Sequence, residues 1–332
     1  MRKIRIAQIG VNYYSHSNQI YRSLQKQSNL FELVGCCLPE NEREVMPDRV
    51  ANLGEFPELT LEEILNDPTI EAVAIETSEG DLTRYALMAA AHGKHIHMEK
   101  PGGCDPVEFE ALIDAMRESG KVFHVGYMYR YNPVIRDLME RVKNGELGDI
   151  ISVEAQMSCY HPENVRRWIS DMPSAMMFFL GCHLVDLVLQ LQGDPDNIIP
   201  LNRHTGTDGI DVADFGMAVL EYKNGVSVIK TTDIERGGFL RRQLVVTGTK
   251  GTVELRPLER GPESALTTEQ RVCMSEVWGD DGVRSVSEPF DRYDAMMASF
   301  AAMVRGEKVN PYTLDYELKL YKAMLRCCGV SV

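Results

Sequence analysis

The chain of 332 residues has no apolar run long enough to span a bilayer, and Met1-Arg2-Lys3-Ile4-Arg5 leads into a strand pattern without a signal-peptide core. A cytoplasmic location and no membrane partner are therefore expected. Basic charge is also in deficit. Against 49 Asp+Glu there are 35 Lys+Arg, a formal net charge of -14, which argues against nucleic acid as a partner while leaving room for a local anion site. The eight cysteines include no Cys-x-x-Cys pair, so neither a zinc ribbon nor a thioredoxin-like motif is present, and reduced, buried thiols are expected. His92, His95, His97 and Glu99 crowd together, but no spaced partner cluster completes a ligand set, and no metal is expected.

What is present is an alternation. Residues 3–9 read as a strand ending at Gly10, followed by a helix from Ser17 to Lys26 with Ile20, Tyr21 and Leu24 on one face. Strands at 33–37, 72–77, 94–98 and 122–125 alternate with helices at 61–65 and 82–91 and a helix that Asp105 caps, Pro106 opens and Gly120 closes. Strand–helix alternation over about 125 residues means βαβ units and a doubly wound, mainly parallel sheet. The pattern then changes. A helix striped by Val134, Ile135, Leu138, Met139 and Val142 precedes a strand at 150–157. Alternating runs at 212–222 and 226–233 flank Asn224-Gly225, a hairpin signal, and strands at 244–247 and 252–255 follow. This half reads as α+β with a mainly antiparallel open sheet, closed by helices near 294–305 and 315–327; residues 256–288 have no assignment. The expected domains are 1–125 and 126–332, with the open sheet face available for a homodimer or homotetramer contact or as a cover for a substrate crevice.

In an open parallel sheet, ligands bind beyond the carboxyl ends of the strands. Glu99-Lys100-Pro101 stands at such an end, where a lysine can aim its ammonium into a ligand crevice. In the stretch from His183 to Leu191, His183, Asp186 and Gln190 share one face and the rest is Leu or Val, the pattern of a buried helix facing a site.

These residues are in a recognisable order. Gly93-Lys94-His95 leads to Glu99-Lys100-Pro101. Gly126-Tyr127-Met128-Tyr129-Arg130-Tyr131-Asn132-Pro133 precedes Gly145-Glu146-Leu147-Gly148-Asp149-Ile150. Gly181-Cys182-His183-Leu184-Val185-Asp186 and Gly248-Thr249-Lys250-Gly251 follow. Over nearly its whole length the chain resembles the glucose–fructose oxidoreductase / inositol dehydrogenase / MocA (Gfo/Idh/MocA) family. The resemblance implies an N-terminal Rossmann domain, a C-terminal α/β domain, NAD or NADP as cofactor, and a sugar or cyclitol as substrate. It implies that Lys100 stabilises charge on the reacting oxygen and that His183 exchanges the proton, with Asp186 orienting it. Gly10, Asn12, Tyr13, Tyr14, Ser15, Glu40, Thr77, Ser78 and Glu99 are the expected cofactor contacts. Tyr129, Arg130, Arg167, Trp168 and Phe179 are the expected substrate contacts.

Two departures stand out. The phosphate-binding fingerprint Gly-x-Gly-x-x-Gly is reduced to Gly10-Val11-Asn12-Tyr13-Tyr14-Ser15, and Leu38 stands where an acid holds the ribose diol, with Glu40 as the expected substitute. Arg43 is near but not adjacent, so NAD rather than NADP is expected. Family members often carry an aspartate one turn before the histidine; here that place holds Phe179. The expected function is NAD(P)-dependent oxidation or reduction at a secondary hydroxyl or ketone of a sugar, cyclitol or related polyol. Two alternatives stay open: a non-redox relative that has lost the cofactor, and a glycoside-cleaving enzyme that recycles tightly bound NAD.

Overall fold

The computed structural model describes residues 2–332. Two compact units form: residues up to Met128 with Tyr293–Lys319, and Tyr129–Arg292 with Leu320–Val332.

The first unit holds β1 (Ile4–Ile9), α1 (Ser17–Lys26), β2 (Phe31–Cys37), α2 (Glu42–Val45), α3 (Pro47–Ala51), α4 (Leu61–Asn66), β3 (Ala72–Ile75), α5 (Leu82–Ala91), β4 (His95–Met98), α6 (Pro106–Ser119) and β5 (Phe123–Val125). The strands form one five-stranded sheet in the order β2-β1-β3-β4-β5, and every pairing is parallel. Ile4, Ile6, Ile9, Val73, Ile75 and Ile96 are fully buried, as expected of strands covered on both faces. Local chemistry sets the helix starts. Thr60 and Glu63 form a reciprocal capping box on α4, and Asp105 accepts from Val107 N and Glu108 N at the start of α6. The order of connections reverses between β1 and β3, so the crevice beyond their carboxyl ends is the switch point at which such sheets take ligands.

The second unit holds α7 (Pro133–Lys143), β6 (Ile150–Gln156), α8 (Glu163–Ile169), α9 (Cys182–Gln192), β7 (Asn197–Pro200), β8 (Phe215–Tyr222), β9 (Gly225–Thr232), β10 (Gln243–Gly248), β11 (Thr252–Leu255), β12 (Glu269–Cys273) and β13 (Val283–Val286). They form an eight-stranded sheet, β13-β12-β11-β10-β6-β9-β8-β7, antiparallel except for the β6–β9 pair. Val153, Ala155, Ala218, Leu220, Ile229, Leu244 and Val246 lie on the buried face. The mainly antiparallel sheet agrees with the sequence reading, with differences in detail, among them the added edge strand β7. The first strand of the hairpin begins at Phe215, not Val212, and the unassigned stretch contributes β12 and β13. All four residues of β13 are exposed, so it has no hydrophobic alternation to read.

After β13 the chain returns to the first unit as α10 (Asp294–Val304) and then enters α11 (Leu314–Cys327). The Phe300 ring of α10 lies 5.4 Å from His124 and 5.9 Å from His97, and Asp294 accepts from Ser23 Oγ of α1 at 2.8 Å. The expected cut after residue 125 leaves out this return, which rests on packing between segments far apart in sequence.

Candidate active site

The glycine turn survives without its later glycines. Gly10 has φ +92°, and a Cβ there would sit 2.8–2.9 Å from Thr77 Cγ2 and the Glu76 backbone, so only glycine fits. Side chains close the rest of the turn. Asn12 N donates to Glu76 O at 3.1 Å, and Asn12 Oδ1 accepts from Tyr14 N at 3.0 Å. Ser15 Oγ, folded inward, donates to Asn12 O and Glu76 O at 3.1 and 3.2 Å. Arg49, on α3, donates to Asn12 O, Ser15 O and Ser17 Oγ. The Tyr13 ring points outward, 54% exposed, so its bulk is kept off the turn. Beyond it, α1 starts at Ser17, whose N–H donates to Ser15 Oγ at 3.2 Å, while the His16 side chain caps none of the N–H groups. A helix N-terminus, with its positive dipole end, behind a tight glycine turn suits a pyrophosphate, so the residues fit a dinucleotide.

The acid near this turn is not the expected one. Glu40 accepts from Arg84 and Tyr85 at 2.6 and 2.7 Å on the surface. Glu42, 3% exposed, instead accepts from Val11 N at 2.9 Å. Burial pushes its carboxyl up to about 7, against the Val11 hydrogen bond and the Arg49 charge. Arg43 is taken up by Glu58.

More ionisable groups meet at and beyond the ends of β3 and β4. Ile75 pairs with Met98, so Glu76 and Glu99 stand side by side one residue further on, and Lys100 follows. Lys100 is 2% exposed, with Nζ 3.8 Å from Glu99 Oε1. Glu99 Oε2 also meets His16 Nδ1 at 3.1 Å. Burial pushes Glu99 up, but His16, with Lys100 and His97, brings it below the usual carboxylate range. Glu76 is held well above that range by burial and by the Glu99 charge. Glu79, on the turn that carries Thr77 and Ser78, is fully buried, and burial lifts it to about 7 although Lys100 opposes the shift. His97 Nδ1 lies 2.8 Å from His124 Nδ1, and burial takes His97 down to about 4.

The second unit gathers its own groups. Arg130 grips Asp186 through Nε and a terminal nitrogen at 3.0 and 2.9 Å, and both side chains are 1% exposed. Gln190 Nε2 adds a donor to Asp186 at 2.9 Å. The polar stripe read on this helix is therefore real, and Asp186 is held chiefly by Arg130. His183 meets the Tyr129 ring edge-on, with centroids 5.2 Å apart. Tyr129 OH donates to Glu259 Oε2 at 2.8 Å, and Arg292 clamps that carboxylate at 2.9 and 2.7 Å. Phe179, on a π-helical turn (Met177–Gly181) before α9, has the Trp168 ring edge-on at 5.4 Å and His161 at 6.1 Å. Arg167 faces solvent and pairs with Glu163; its neighbour Arg166 is the buried one, held by Asp208. Asp233, fully buried, is pushed to about 7 by burial and by Asp214, with Arg166 opposing.

Gly10, Asn12, Ser15, Thr77, Glu99 and Lys100 thus converge on the carboxyl edge of the parallel sheet, and Tyr129, Arg130, His183 and Asp186 form one cluster on the second unit. Glu40 and Arg167 stand outside these groups. Glu42, Arg49, Glu79 and Asp233 had no sequence signal. Glu42, Arg49 and Glu79 lie in polar stretches that read as surface, and Asp233 is the polar last residue of a run read as a strand.

The raised carboxyls have a measurable consequence. Glu42 is near its ordinary 4.5 when unfolded and about 7 when folded. Between those values the folded chain keeps a proton that the unfolded chain has lost, so raising the pH through this window favours unfolding. Glu42→Gln is expected to lose less melting temperature than the parent between about pH 5 and about pH 8. Equal losses in scanning fluorimetry would count against the assignment.

Both domains match family models. Residues 4–127 match the oxidoreductase-family NAD-binding Rossmann fold, and residues 135–254 match the GFO/IDH/MocA C-terminal domain. The chain is 27% identical over 249 residues to D-xylose 1-dehydrogenase (NADP(+)) 2 of Haloferax volcanii, covering 74% of this chain and 72% of that one. It is 30% identical over 164 residues to scyllo-inositol 2-dehydrogenase (NADP(+)) of Bacillus subtilis, covering 49% and 46%. In fold it is similar to levoglucosan dehydrogenase in complex with NADH and levoglucosan, with TM-score 0.80, 18% identity and 99% and 98% coverage. Among the described residues no helix is long and apolar enough to cross a membrane. The chain carries both domains of one family, and it belongs to the Gfo/Idh/MocA oxidoreductases.

Proposed function

We propose that this chain is an NAD(P)-dependent oxidoreductase acting at a secondary hydroxyl or ketone of a sugar, cyclitol or related polyol. The observation that carries the reading is a lysine, Lys100, buried at the carboxyl end of β4 on the sheet edge that also bears the glycine turn. The turn residues Gly10 to Ser15 and the start of α1 would hold the pyrophosphate, with Thr77, Ser78 and Glu99 on the nicotinamide side. When bound, the nicotinamide supplies or accepts the hydride. Lys100 Nζ holds the negative charge that grows on the substrate oxygen, and His183 takes or returns the hydroxyl proton. Asp186 keeps the helix bearing His183 anchored through Arg130. Tyr129, Trp168 and Phe179 offer aromatic surface for the apolar face of a polyol.

NAD is preferred over NADP in this reading, because Glu42 puts a carboxylate on the turn and Arg43 is committed to Glu58. Titration with NADH and NADPH, followed by nicotinamide fluorescence, tests it. Saturable binding with NADH the tighter supports it. A non-redox role is favoured instead by Glu42 closing off Val11 N–H and by Phe179 in the aspartate's place, and binding of neither nucleotide, with none carried through purification, would select that role. The half-buried outer face of the eight-stranded sheet, with Met217, Val219, Val228 and Val245, is proposed as a contact between copies. A monomer mass in light scattering would refute that contact.

A further inference from the structure

Glu79 is a buried carboxylate that the reading above does not use. It sits on the turn after β3, next to the strand that delivers Lys100. It is fully buried, and among the described residues neither of its oxygens meets a hydrogen-bond donor from another residue. Leaving a carboxylate undonated in the interior is costly unless a nearby charge is served by it. Lys100, just past the end of the neighbouring strand, is the charged group that acts most on Glu79, and Lys100 is itself 2% exposed with Nζ 3.8 Å from Glu99 Oε1. Glu99 already shares its charge with His16.

We propose that Glu79 is a positioning residue for Lys100: a second carboxylate that keeps the buried ammonium charged and aimed at the substrate oxygen. This rests on the catalytic reading of Lys100 given above. The other groups facing the pair are Glu99 at the end of β4, Cys104 after Pro101, and, around Glu99, Glu76, His97 and His16. Burial and Glu79 push the Cys104 thiol up to about 12, so it stays protonated while Glu79 ionises.

The test reads Lys100 directly and needs neither substrate nor cofactor, so it separates this proposal from the redox reading. Lysine labelled with 13C at Cε is titrated by NMR, with Lys100 assigned from the signal missing in Lys100→Arg. In Glu79→Gln the Lys100 midpoint is expected to fall by about one pH unit or more, as for a buried ammonium that loses an adjacent carboxylate, and Glu79→Asp is expected to restore most of it. Superimposable Lys100 curves in the parent and in folded Glu79→Gln would overturn the proposal. If Glu79→Gln does not fold, the parent decides: Lys100 Cε either shifts as Glu79 ionises, supporting the proposal, or stays unmoved through that range, overturning it. Where a turnover assay exists, the alkaline limb of the kcat profile should move the same way in Glu79→Gln while KM stays near the parent value.

Discussion

Lys100→Met is expected to lower kcat by roughly a thousandfold, the scale on which removal of a single charge-stabilising donor acts in a dry site. The lysine is buried, so its charge acts at low dielectric and water is not there to replace it. Methionine fills much the same volume and supplies no charge. NADH affinity should stay within about twofold, because the lost interaction grows only as charge builds on the oxygen. The fold should also hold. Glu99 keeps His16 as a partner, and Glu79, already at about 7, can take up a proton when the ammonium is gone. Normal turnover of any substrate by Lys100→Met would remove Lys100 from the chemistry.

The second large effect concerns stability. Asp186→Ala is expected to destabilise the second unit by about 3–5 kcal/mol, the scale for breaking a buried ion pair from one side. The Arg130 and Asp186 side chains are each 1% exposed and joined by two hydrogen bonds, so truncating the acid strands a guanidinium away from water. Removing both charges in Arg130→Met/Asp186→Leu should recover most of the loss, since the penalty lies in the unpaired charge. Tryptophan fluorescence during urea unfolding is a suitable readout, because the chain's 2 tryptophans, Trp168 and Trp278, both lie in the second unit. A single and a double variant of equal stability would show that the pair is solvated in solution.

Much of this architecture was legible because hydrophobic period and turn chemistry are local. The βαβ alternation, the cap at Asp105, the hairpin at Asn224-Gly225 and the polar stripe on the His183 helix all follow from neighbours in sequence, and the structure bears them out. What was missed depends on distant segments. Glu42 and Glu79 look like surface acids within polar runs, and only the fold buries them, Glu42 on the Val11 N–H and Glu79 on the turn beside the strand that leads to Lys100. Arg166 and Arg167 are adjacent arginines, and the phase of a short helix decides which one is buried. Strand β13 is exposed along its length and β7 is an edge strand ending in proline, so neither carries an apolar alternation. The return of α10 to the first unit needed knowledge of what Phe300 packs on.

The stitched glycine turn bears on the disordered chain as well as on the folded one. Asn12 and Ser15 occupy places where the fingerprint has glycine, and a residue with a Cβ samples fewer backbone conformations before folding than glycine does. Arg49 and the Ser15 hydroxyl then fix the loop by bonds internal to the protein. The turn therefore enters binding with little backbone freedom left to lose, and a dinucleotide that settles on it meets a loop already ordered.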